Sequence, residues 1–329
     1  MTEPTGADET AGAGVIAGTV VAVCRSDEKG TPKTAVEEIQ LRRGHGVETD
    51  AHAGTWHRQV SLLAAEQIEI MRAQGLELDH GAFGENIVTE GIDLDELQLG
   101  RRLRAGDEVV LQVTQHGKEC HTRCAIYHQT GDCIMPAHGL FARVLRGGVV
   151  RGGDQLTTDP ELDRYRYAVL TISDRGAAGA RQDTAGPLVA ELVEAAIPAR
   201  RVSLQIRPDD RGAIEEALID LCDRELCDLV LTTGGTGLSP RDVTPEATRA
   251  VIEREIPGMA EAMRAEGMRH TPRAMLSRAI CGQRGHTMIV NLSGSPKAVR
   301  EQLGALTPVL EHALETSTGI PQNCARSDS

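Results

Sequence analysis

A loop rich in glycine and threonine is the first stretch whose residue types and spacing point to chemistry. The segment LTTGGTG, residues 231–237, follows an apolar run, and its loop residues are Thr232, Thr233, Gly234, Gly235, Thr236 and Gly237. Glycine lets the backbone adopt positive φ and approach a ligand closely, while the threonines add hydroxyl groups. The amides of such a loop suit an anion, above all a phosphate.

Neither of two familiar phosphate-binding fingerprints is present in this loop. The P-loop pattern GxxxxGKS/T is absent, and so is the dinucleotide pattern GxGxxG. A plain tight turn would use the same glycines, so the flanking residues decide between a turn and a ligand site.

Three aspartates stand at the ends of predicted strands or just past the glycine loop. Asp174 follows the apolar run in LTISDRG, Asp209 follows the next one in IRPDD, and Asp242 comes after the loop beside Arg241. If the strands are neighbours, the three carboxylates should meet along one edge of a sheet. Carboxylates beside a phosphate loop are typical of Mg²⁺-assisted phosphoryl or nucleotidyl transfer. Each aspartate taken alone fits a helix cap or a solvated turn equally well.

Two predicted helix starts adjoin these loops. The segment TPEAT suggests Thr244 as an N-cap with Pro245 at the first helical position. In VNLSGSPKAV, residues 290–299, small residues expose amides at the positive end of a helix, which favours an anion. Ordinary capping by Ser295 with Pro296 behind it explains the second segment equally well.

The elements that must position these residues alternate between strand and helix from residue 167 onward. YAVLTIS, RVSLQIRP, DLVLTTGG and TMIVNLSG have the pattern of strands, while TAGPLVAELVEAA and GAIEEALIDLCDRE have that of helices. This alternation predicts an α/β domain over residues 167–315, with a mainly parallel sheet flanked by helices. Ligands of such sheets bind at the carboxyl ends of the strands, where the aspartates and loops stand.

The first half of the chain has a different sequence pattern. Residues 15–156 consist of short β-rich pieces broken by glycine and charge, with one helix-like run over 64–74, which predicts a β-barrel or sandwich. Residues 157–166, TTDPELDRYR, have the composition of a linker. Residues 1–14 are predicted to be a disordered leader and residues 316–329 a tail.

Charge and composition narrow the class of protein. The 329 residues carry a formal net charge of −13, which argues against general electrostatic binding of nucleic acid or anionic lipid. The eight cysteines are scattered, no signal sequence opens the chain, and no apolar run approaches the ~20 residues of a membrane span. We therefore expect a reduced, cytoplasmic protein without a membrane segment.

The second half contains, in this order over about residues 166–314, the motifs TISDRG, QDTAGP, DLVLTTGGTG, PRDVTPEAT, IPGMAEAMR, MLSRA and NLSGSPKAV. Together these motifs resemble the molybdopterin adenylyltransferase family of molybdenum cofactor biosynthesis. The resemblance implies that ATP and Mg²⁺ adenylylate the terminal phosphate of molybdopterin and release pyrophosphate. The two essential acidic positions of the family match Asp209 and Asp242, which we expect to be catalytic and to hold Mg²⁺.

The resemblance also implies a homotrimer, with a molybdenum-insertion protein or a molybdoenzyme as a further partner. Together with the loops, it predicts that the substrates contact one edge of the sheet. The residues expected there are Ser173, Asp174, Thr233, Gly234, Gly235, Thr236, Gly237, Arg241, Ser277, Asn291, Ser293, Gly294 and Ser295.

Within residues 17–156, the first half contains the segments TDAHAGTWHRQVSLL, FGENIVTEGIDL and GKECHTRCAIYHQTGDCIMPAHGL. These segments resemble the MOSC family, named for the carboxyl end of molybdenum cofactor sulfurase. The resemblance implies a β-rich domain that binds the molybdenum cofactor or handles sulfur through one cysteine. Cys120 in GKEC is the best match, and Lys118, His121 or Arg123 could lower the pKa of its thiol.

Other interpretations of these residues stay open. Cys124 and Cys133 lie close to Cys120 in the sequence, and a cysteine can be a small buried hydrophobe. The three cysteines could instead bind zinc with His121, His128 or His138, although the spacing fits no common structural site. His52, His57 and Arg58 could bind an anion such as a pterin phosphate, or satisfy loop carbonyls.

The sequence thus predicts a two-domain enzyme of the molybdenum cofactor pathway, with an adenylyltransferase domain behind a MOSC barrel. The alternative is a binding or regulatory protein that holds molybdopterin without turnover. The presence of both Asp209 and Asp242 favours the enzyme.

Overall fold

The computed structural model describes residues 15–117 and 133–317, and the chain divides into two units between Asp163 and Arg164. The predicted linker, 157–166, contains the end of one strand, a short helix and the start of another strand. The predicted leader and residues 318–329 of the predicted tail lie outside the described residues.

In the first unit, seven strands close into a barrel, as the short β-rich pieces predict. The strands of the unit are β1 (Ala17–Arg25), β2 (Thr34–Val36), β3 (Glu38–Arg42), β4 (Gly46–Val47), β5 (Val60–Ala64), β6 (Ile87–Glu90), β7 (Arg102–Ala105), β8 (Val109–His116), β9 (Leu140–Arg146), β10 (Gly148–Arg151) and β11 (Gln155–Thr158). The strand order of the barrel is β1–β11–β7–β8–β9–β5–β6, and β6 pairs with β1 to close it. Strand β2 pairs with the C-terminal residues of β1. Strands β10, β3 and β4 form a separate sheet.

The barrel interior is aliphatic. Its core contains Val20, Leu62, Leu103, Leu111 and Leu140, all fully buried. Among the described residues of this unit, three helices accompany the strands: α1 (Ala65–Ala73), α2 (Met135–His138) and α3 (Pro160–Asp163). Burial of branched apolar side chains from every wall of the barrel supplies the main stabilising term in a chain with few aromatic residues.

Residues 164–317, the described part of the second unit, contain one mixed sheet of six strands. They are β12 (Tyr165–Ile172), β13 (Ala199–Arg207), β14 (Leu229–Thr233), β15 (Arg254–Glu255), β16 (Cys281–Arg284) and β17 (Thr287–Leu292), in the order β13–β12–β14–β17–β16–β15. The pairings β12–β13, β12–β14 and β14–β17 are parallel, whereas β16 is antiparallel to both β17 and β15.

Helices cover both faces of this sheet. They are α4 (Asp174–Ala177), α5 (Ala185–Ala196), α6 (Arg211–Asp223), α7 (Thr244–Val251), α8 (Pro257–His270) and α9 (Pro296–Ser317), with a 3₁₀ helix over Pro272–Leu276. Alternate residues of β14 enter two cores: Leu229 and Leu231 pack with α5, α8 and α9, and Val230 packs with α6 and α7. Strands buried on both faces leave their ends for chemistry, and the four parallel strands end at one edge.

Across the two described ranges, none of the helices combines the length and the apolar character that a membrane crossing requires.

Candidate active site

Two of the predicted acidic residues meet at the edge where the parallel strands end. Asp174 begins α4 directly after β12, and Asp209 lies just past the neighbouring strand β13. The backbone N–H of Asp174 donates to Asp209 Oδ2 at 3.0 Å, and that of Asp209 donates to Asp174 Oδ1 at 3.1 Å. The remaining oxygen of Asp174 pairs with the guanidinium of Arg241. Asp174 is therefore engaged at both oxygens, whereas Asp209 keeps Oδ1 without a hydrogen bond from any described residue.

The glycine loop lies beside Asp209. Burial and the negative charges of Asp174 and Asp242 raise the pKa of Asp209, against the opposing backbone N–H of Asp174 and the charge of Arg241. A Cβ atom on Gly235 would come within 3.3 Å of Asp209 Oδ1 and would overlap Thr244 Oγ1. The loop that follows β14 and the carboxylate that follows β13 thus share one site.

The glycine loop adopts a conformation that only glycine accepts readily. Gly234 has φ of 105° and Gly235 has φ of 63°, both in the left-handed half of conformational space. Within the described residues, the backbone N–H groups of Gly235, Thr236 and Gly237 donate to no protein acceptor. Three successive unpaired amides form the kind of concave donor set that binds an anion.

Thr244 holds this loop in place, and the prediction that it is an N-cap is wrong. The N-cap position of α7 belongs to Val243, which makes no side-chain cap. The hydroxyl of Thr244 instead donates to Gly234 O at 2.9 Å, and its backbone N–H donates to Gly235 O at 3.1 Å. The side chain is fully buried, and the glycine carbonyl is the acceptor within its reach.

Two threonines and Asn291 have structural partners inside the protein. Thr233 Oγ1 donates to Ser293 O at 2.8 Å, which ties the loops after β14 and β17 together. Asn291 is fully buried, and its amide donates to the hydroxyls of Thr232 and Thr248 at 3.0 and 2.9 Å. The backbone of the loop, more than these hydroxyls, is left for a ligand, and any effect of Asn291 on a substrate would be indirect.

Asp242 is the second carboxylate with an unengaged oxygen. Its Oδ2 accepts the N–H of Ser239 at 2.9 Å, and its own N–H donates to Ser239 O at 2.9 Å. A Cβ on Gly237 would lie 2.8 Å from the same Oδ2, so a larger residue there would displace the Asp242 carboxylate. In residues 15–117 and 133–317, no group of three or more His, Cys, Asp or Glu side chains is arranged to hold a metal ion.

The serines after β17 form the far side of the site. Ser293 exchanges hydrogen bonds with Gln302, and Ser295 Oγ accepts the N–H of Ala298 at 3.2 Å, as a helix cap does. Gly294 is exposed and would bring a Cβ within 3.3 Å of Gly234 Cα. The serine-rich loop and the glycine loop are therefore in close contact through their glycines.

A solvent-open cleft of about 530 Å³ lies beside these loops and reveals a residue that sequence reasoning missed. Its lining includes Ser173, Asp183, Thr233 and Gly294. Asp183 accepts the N–H groups of Ala185 and Gly186 and the hydroxyl of Thr171, at 3.0, 2.9 and 2.6 Å. Asp183 directly precedes the predicted helix that begins at Thr184, and an aspartate at that position is typical of a helix cap.

Arg278 is the second residue that sequence reasoning missed. Its Nε donates to Gly237 O at 2.7 Å, and its backbone N–H donates to Thr236 O at 3.0 Å. The two Nη atoms contact the Asp242 carbonyl and the Glu246 carboxylate. Ser277, the predicted site residue, directly precedes Arg278 and is half-buried.

The barrel unit contains a separate cavity of about 730 Å³ with cationic and aromatic walls. Lys33, His52, Trp56, Arg58 and Phe141 are among its lining residues. The guanidinium carbon of Arg58 lies 4.5 Å from the ring centroid of Trp56 and 5.8 Å from that of Phe141. Its buried Nε has no hydrogen-bond partner, and none of the described residues supplies a carboxylate to its charge.

A buried ion pair supports one wall of this cavity. Lys33 Nζ lies 2.5 Å from Asp50 Oδ2, and both side chains are almost completely buried. Burial opposes ionisation of Asp50, but the hydrogen bonds of His52 and the charge of Lys33 outweigh it and lower the pKa of this carboxyl. Asp50 also accepts from Asn86 Nδ2 at 3.0 Å, so one carboxylate holds Lys33, His52 and Asn86 together.

Beneath this wall, Glu85 is fully buried and accepts the N–H groups of Gly81 and Phe83. Burial raises the pKa of Glu85 to about 7, against these hydrogen bonds and the charge of Lys33. The ionisation of this carboxyl therefore falls near neutral pH.

The predicted thiol site lies largely outside the described residues. Cys120 and Cys124 both fall there, as do Lys118, His121, Arg123 and His128. Cys133 is half-buried, and His138 pairs through Nδ1 with Asp95 Oδ2 at 2.8 Å. His57 contacts Gln115 Oε1 at 2.9 Å, away from the cavity lining.

Comparison with known proteins matches both units separately. A family model described as a probable molybdopterin binding domain matches residues 168–312, and a MOSC domain model matches residues 49–157. A molybdopterin adenylyltransferase of Helicobacter pylori J99 is 40% identical over 159 residues, which cover 48% of this chain and 90% of that protein. A molybdopterin adenylyltransferase of Escherichia coli K12 is 41% identical over 143 residues, covering 43% of this chain and 73% of that protein.

A solved structure of a molybdopterin biosynthesis enzyme from Thermus thermophilus shares 50% identity, covers 48% of this chain and 98% of that chain, and superimposes with a TM-score of 0.45. These two adenylyltransferases are matched over most of their own length, and the family model lies in the second unit, where Asp209, Asp242 and the glycine loop lie. Through this unit, the chain belongs to the molybdopterin adenylyltransferase family.

Proposed function

We propose that the second unit transfers the adenylyl group of ATP to the terminal phosphate of molybdopterin and releases pyrophosphate. The observation that carries the proposal is the set of three unpaired amides at Gly235, Thr236 and Gly237, near two carboxylates that each keep one oxygen unengaged. Membership of the adenylyltransferase family supports the identity of the two substrates.

The reaction joins two anions, so the protein must neutralise charge and position the reactants. A phosphate oxygen of molybdopterin attacks the α-phosphorus of ATP, a new P–O bond forms, and the bond between the α-phosphorus and the bridging oxygen breaks. The electron pair leaves with pyrophosphate. Fixed amides act on such a step because they need no reorganisation when negative charge moves.

The two aspartates fit a magnesium ion. Mg²⁺ usually binds one or two carboxylates and completes its shell with water and substrate phosphates. Asp209 Oδ1 and Asp242 Oδ1 are the oxygens that would hold it, and the negative charge of Asp242 contributes to the raised pKa of Asp209. When bound, the ion would supply charge neutralisation at the phosphates. The protein's own part is to keep Asp209 oriented through Asp174 and Asp242 oriented through Ser239.

For the barrel, we propose that the cavity binds an aromatic anion, either molybdopterin or the finished cofactor. Arg58 supports this, since its charge has no carboxylate partner among the described residues and lies near two aromatic rings, those of Trp56 and Phe141. Cys120 as the thiol that meets sulfur or molybdenum stays a proposal that follows from the MOSC resemblance. We also propose that the protein works as a cytoplasmic homotrimer, and that it meets a molybdenum-insertion protein or a molybdoenzyme.

The proposed reaction is tested by incubating the full chain with molybdopterin, ATP and MgCl₂ and identifying the products by mass spectrometry. Adenylylated molybdopterin and an equal amount of pyrophosphate are expected. Saturable binding of molybdopterin without either product would favour the alternative of a non-catalytic binding protein.

A further inference from the structure

We infer that Arg278 is a positioning residue that fixes Asp242 and the glycine loop for catalysis. This inference rests on the proposed adenylyl transfer, because it assigns a role within the same site. It rests on the four hydrogen bonds of one residue with three separate parts of the polypeptide.

The contacts of Arg278 join both ends of the loop between β14 and α7. At the beginning of the loop, its backbone N–H donates to Thr236 O and its Nε donates to Gly237 O. At the end of the loop, one Nη donates to the backbone carbonyl of Asp242. The other Nη pairs with Glu246 in the first turn of α7. A single planar group thus sets the distance between the anion-binding amides and the Asp242 backbone.

The rest of the loop gives Asp242 little support. Leu238 and Arg241 are exposed, and the carboxylate itself is held only by Ser239 among the described residues. Loop segments with few buried contacts open locally at small cost in free energy. The guanidinium contacts supply what the packing of this segment lacks.

Three of the five N–H groups of the Arg278 guanidinium have protein acceptors, which favours positioning over direct phosphate binding. Glu246 neutralises its charge, and although burial opposes this, the hydrogen bond and the charge of Arg278 lower the pKa of Glu246. Nε and both Nη atoms have protein acceptors. The planar fork is needed for three acceptors in different directions, and a lysine ammonium on a flexible stem cannot reproduce that geometry.

The test uses the full chain carrying Arg278→Lys, which keeps the charge and loses the fork. We expect the Mg²⁺ concentration needed for half-maximal binding of a non-hydrolysable ATP analogue, measured by titration calorimetry, to rise on the order of 10- to 100-fold. A fall in kcat that exceeds the change in KM for molybdopterin should accompany it. An unchanged Mg²⁺ requirement together with an unchanged kcat would overturn the inference.

Arg284→Lys is the matched control. Arg284 also binds a carboxylate, that of Asp223, and a backbone carbonyl, that of Val251, in the same unit. Its replacement should cost similar stability and leave the Mg²⁺ requirement unchanged. An equal effect of both variants would mean that Arg278 is merely structural. Should Arg278→Lys fail to fold, Glu246→Gln removes only the anchoring carboxylate and must raise the Mg²⁺ requirement in the same direction.

A double-mutant comparison separates this inference from the proposed reaction. If Arg278 acts partly through Asp242, then Arg278→Lys combined with Asp242→Asn should lose less affinity for the Mg²⁺–nucleotide than the sum of the two single losses. Additive losses would contradict the inference. Wild-type protein that shows this coupling in binding but forms no adenylylated product would defeat the proposed reaction while leaving the role of Arg278 intact. Absence of Mg²⁺-dependent nucleotide binding in wild type would overturn both.

Discussion

Asp174 and Asp209 each donate a backbone N–H to the carboxylate of the other, at 3.0 and 3.1 Å. This reciprocal pair links the ends of two neighbouring parallel strands and leaves Asp209 with one unengaged oxygen toward the glycine loop. Because Arg241 takes the other oxygen of Asp174, two of the three aspartates at this edge remain available for a cation.

Gly235→Val should abolish nucleotide binding and destabilise the second unit. Valine resists the φ of 63°, and its side chain would collide with Thr244 Oγ1 and crowd Asp209 Oδ1. Gly285→Val is the control, because Gly285 has φ of 55° and open space around its Cβ position. Calorimetric titration with the ATP analogue should show binding lost only in the first variant. Equal affinities in the two folded variants would show that the loop is only a turn.

Arg58→Ala should weaken binding of a pterin anion to the barrel. Trp56 is the single tryptophan of the chain, and Arg58 lies over its ring, so its fluorescence reports occupancy directly. Titration of wild type with molybdopterin should change the emission, and Arg58→Ala should shift the half-saturation point upward by about tenfold or more, the cost of a desolvated cation–π and charge contact. Arg151→Ala, which breaks an exposed pair with Glu38, is the control. A titration curve unaffected by Arg58→Ala would remove the cavity from consideration.

Glu85 should make the barrel less stable as pH rises toward neutrality. Its pKa is raised from the ordinary 4.5 to about 7, so the unfolded chain loses this proton first, and the stabilising effect of the protonated folded form declines between these values. The full effect is about 3 kcal/mol at 1.36 kcal/mol per pKa unit. In denaturant unfolding at pH 5 and pH 7.5, the free energy of unfolding should fall less between the two pH values for Glu85→Gln than for wild type. Glu38→Gln, a change at an exposed carboxylate, should show the same fall in the free energy of unfolding as wild type. The same fall in Glu85→Gln would contradict the raised pKa of Glu85.

Cys120 should be the cysteine that iodoacetamide alkylates fastest near neutral pH. Burial raises the pKa of the Cys24, Cys227 and Cys281 thiols to about 12, so these groups should stay inert. Peptide mapping of the alkylated chain identifies the site, and Cys120→Ser should remove the label while adenylyl transfer continues. First labelling at Cys124 or Cys133 would move the thiol site, and stoichiometric zinc that blocks alkylation would favour a metal site.

The site was predictable where it depends on strand ends and not where it depends on backbone carbonyls. Asp174 and Asp209 follow two consecutive apolar strands, and parallel strands bring such residues together. The role of Arg278 has no sequence pattern, since its acceptors at Gly237 and Asp242 are main-chain oxygens 41 and 36 residues away. The alternation of strands and helices likewise says nothing about the antiparallel pairing of β16 with β17 and with the edge strand β15.

The hydrogen-bond partners of buried polar residues could not be predicted from the sequence either. Asn291 lies at the end of an apolar strand, where an exposed ligand contact and a buried link to Thr232 and Thr248 have the same sequence pattern. Thr244 has the sequence of an N-cap, but its hydroxyl satisfies the carbonyl of Gly234 because the loop folds back over the helix start. Tertiary contacts decided both cases.

The most direct measurement of the central claim is the initial rate of pyrophosphate release from ATP, with saturating molybdopterin and MgCl₂, for wild type and Asp242→Asn. Asparagine keeps an oxygen for the Ser239 N–H and removes the charge that would hold Mg²⁺. Wild type should release one pyrophosphate for each adenylylated molybdopterin. The folded variant should lose several kcal/mol of transition-state stabilisation, a rate loss on the order of a thousandfold. Wild-type turnover by Asp242→Asn would contradict the assignment of this site.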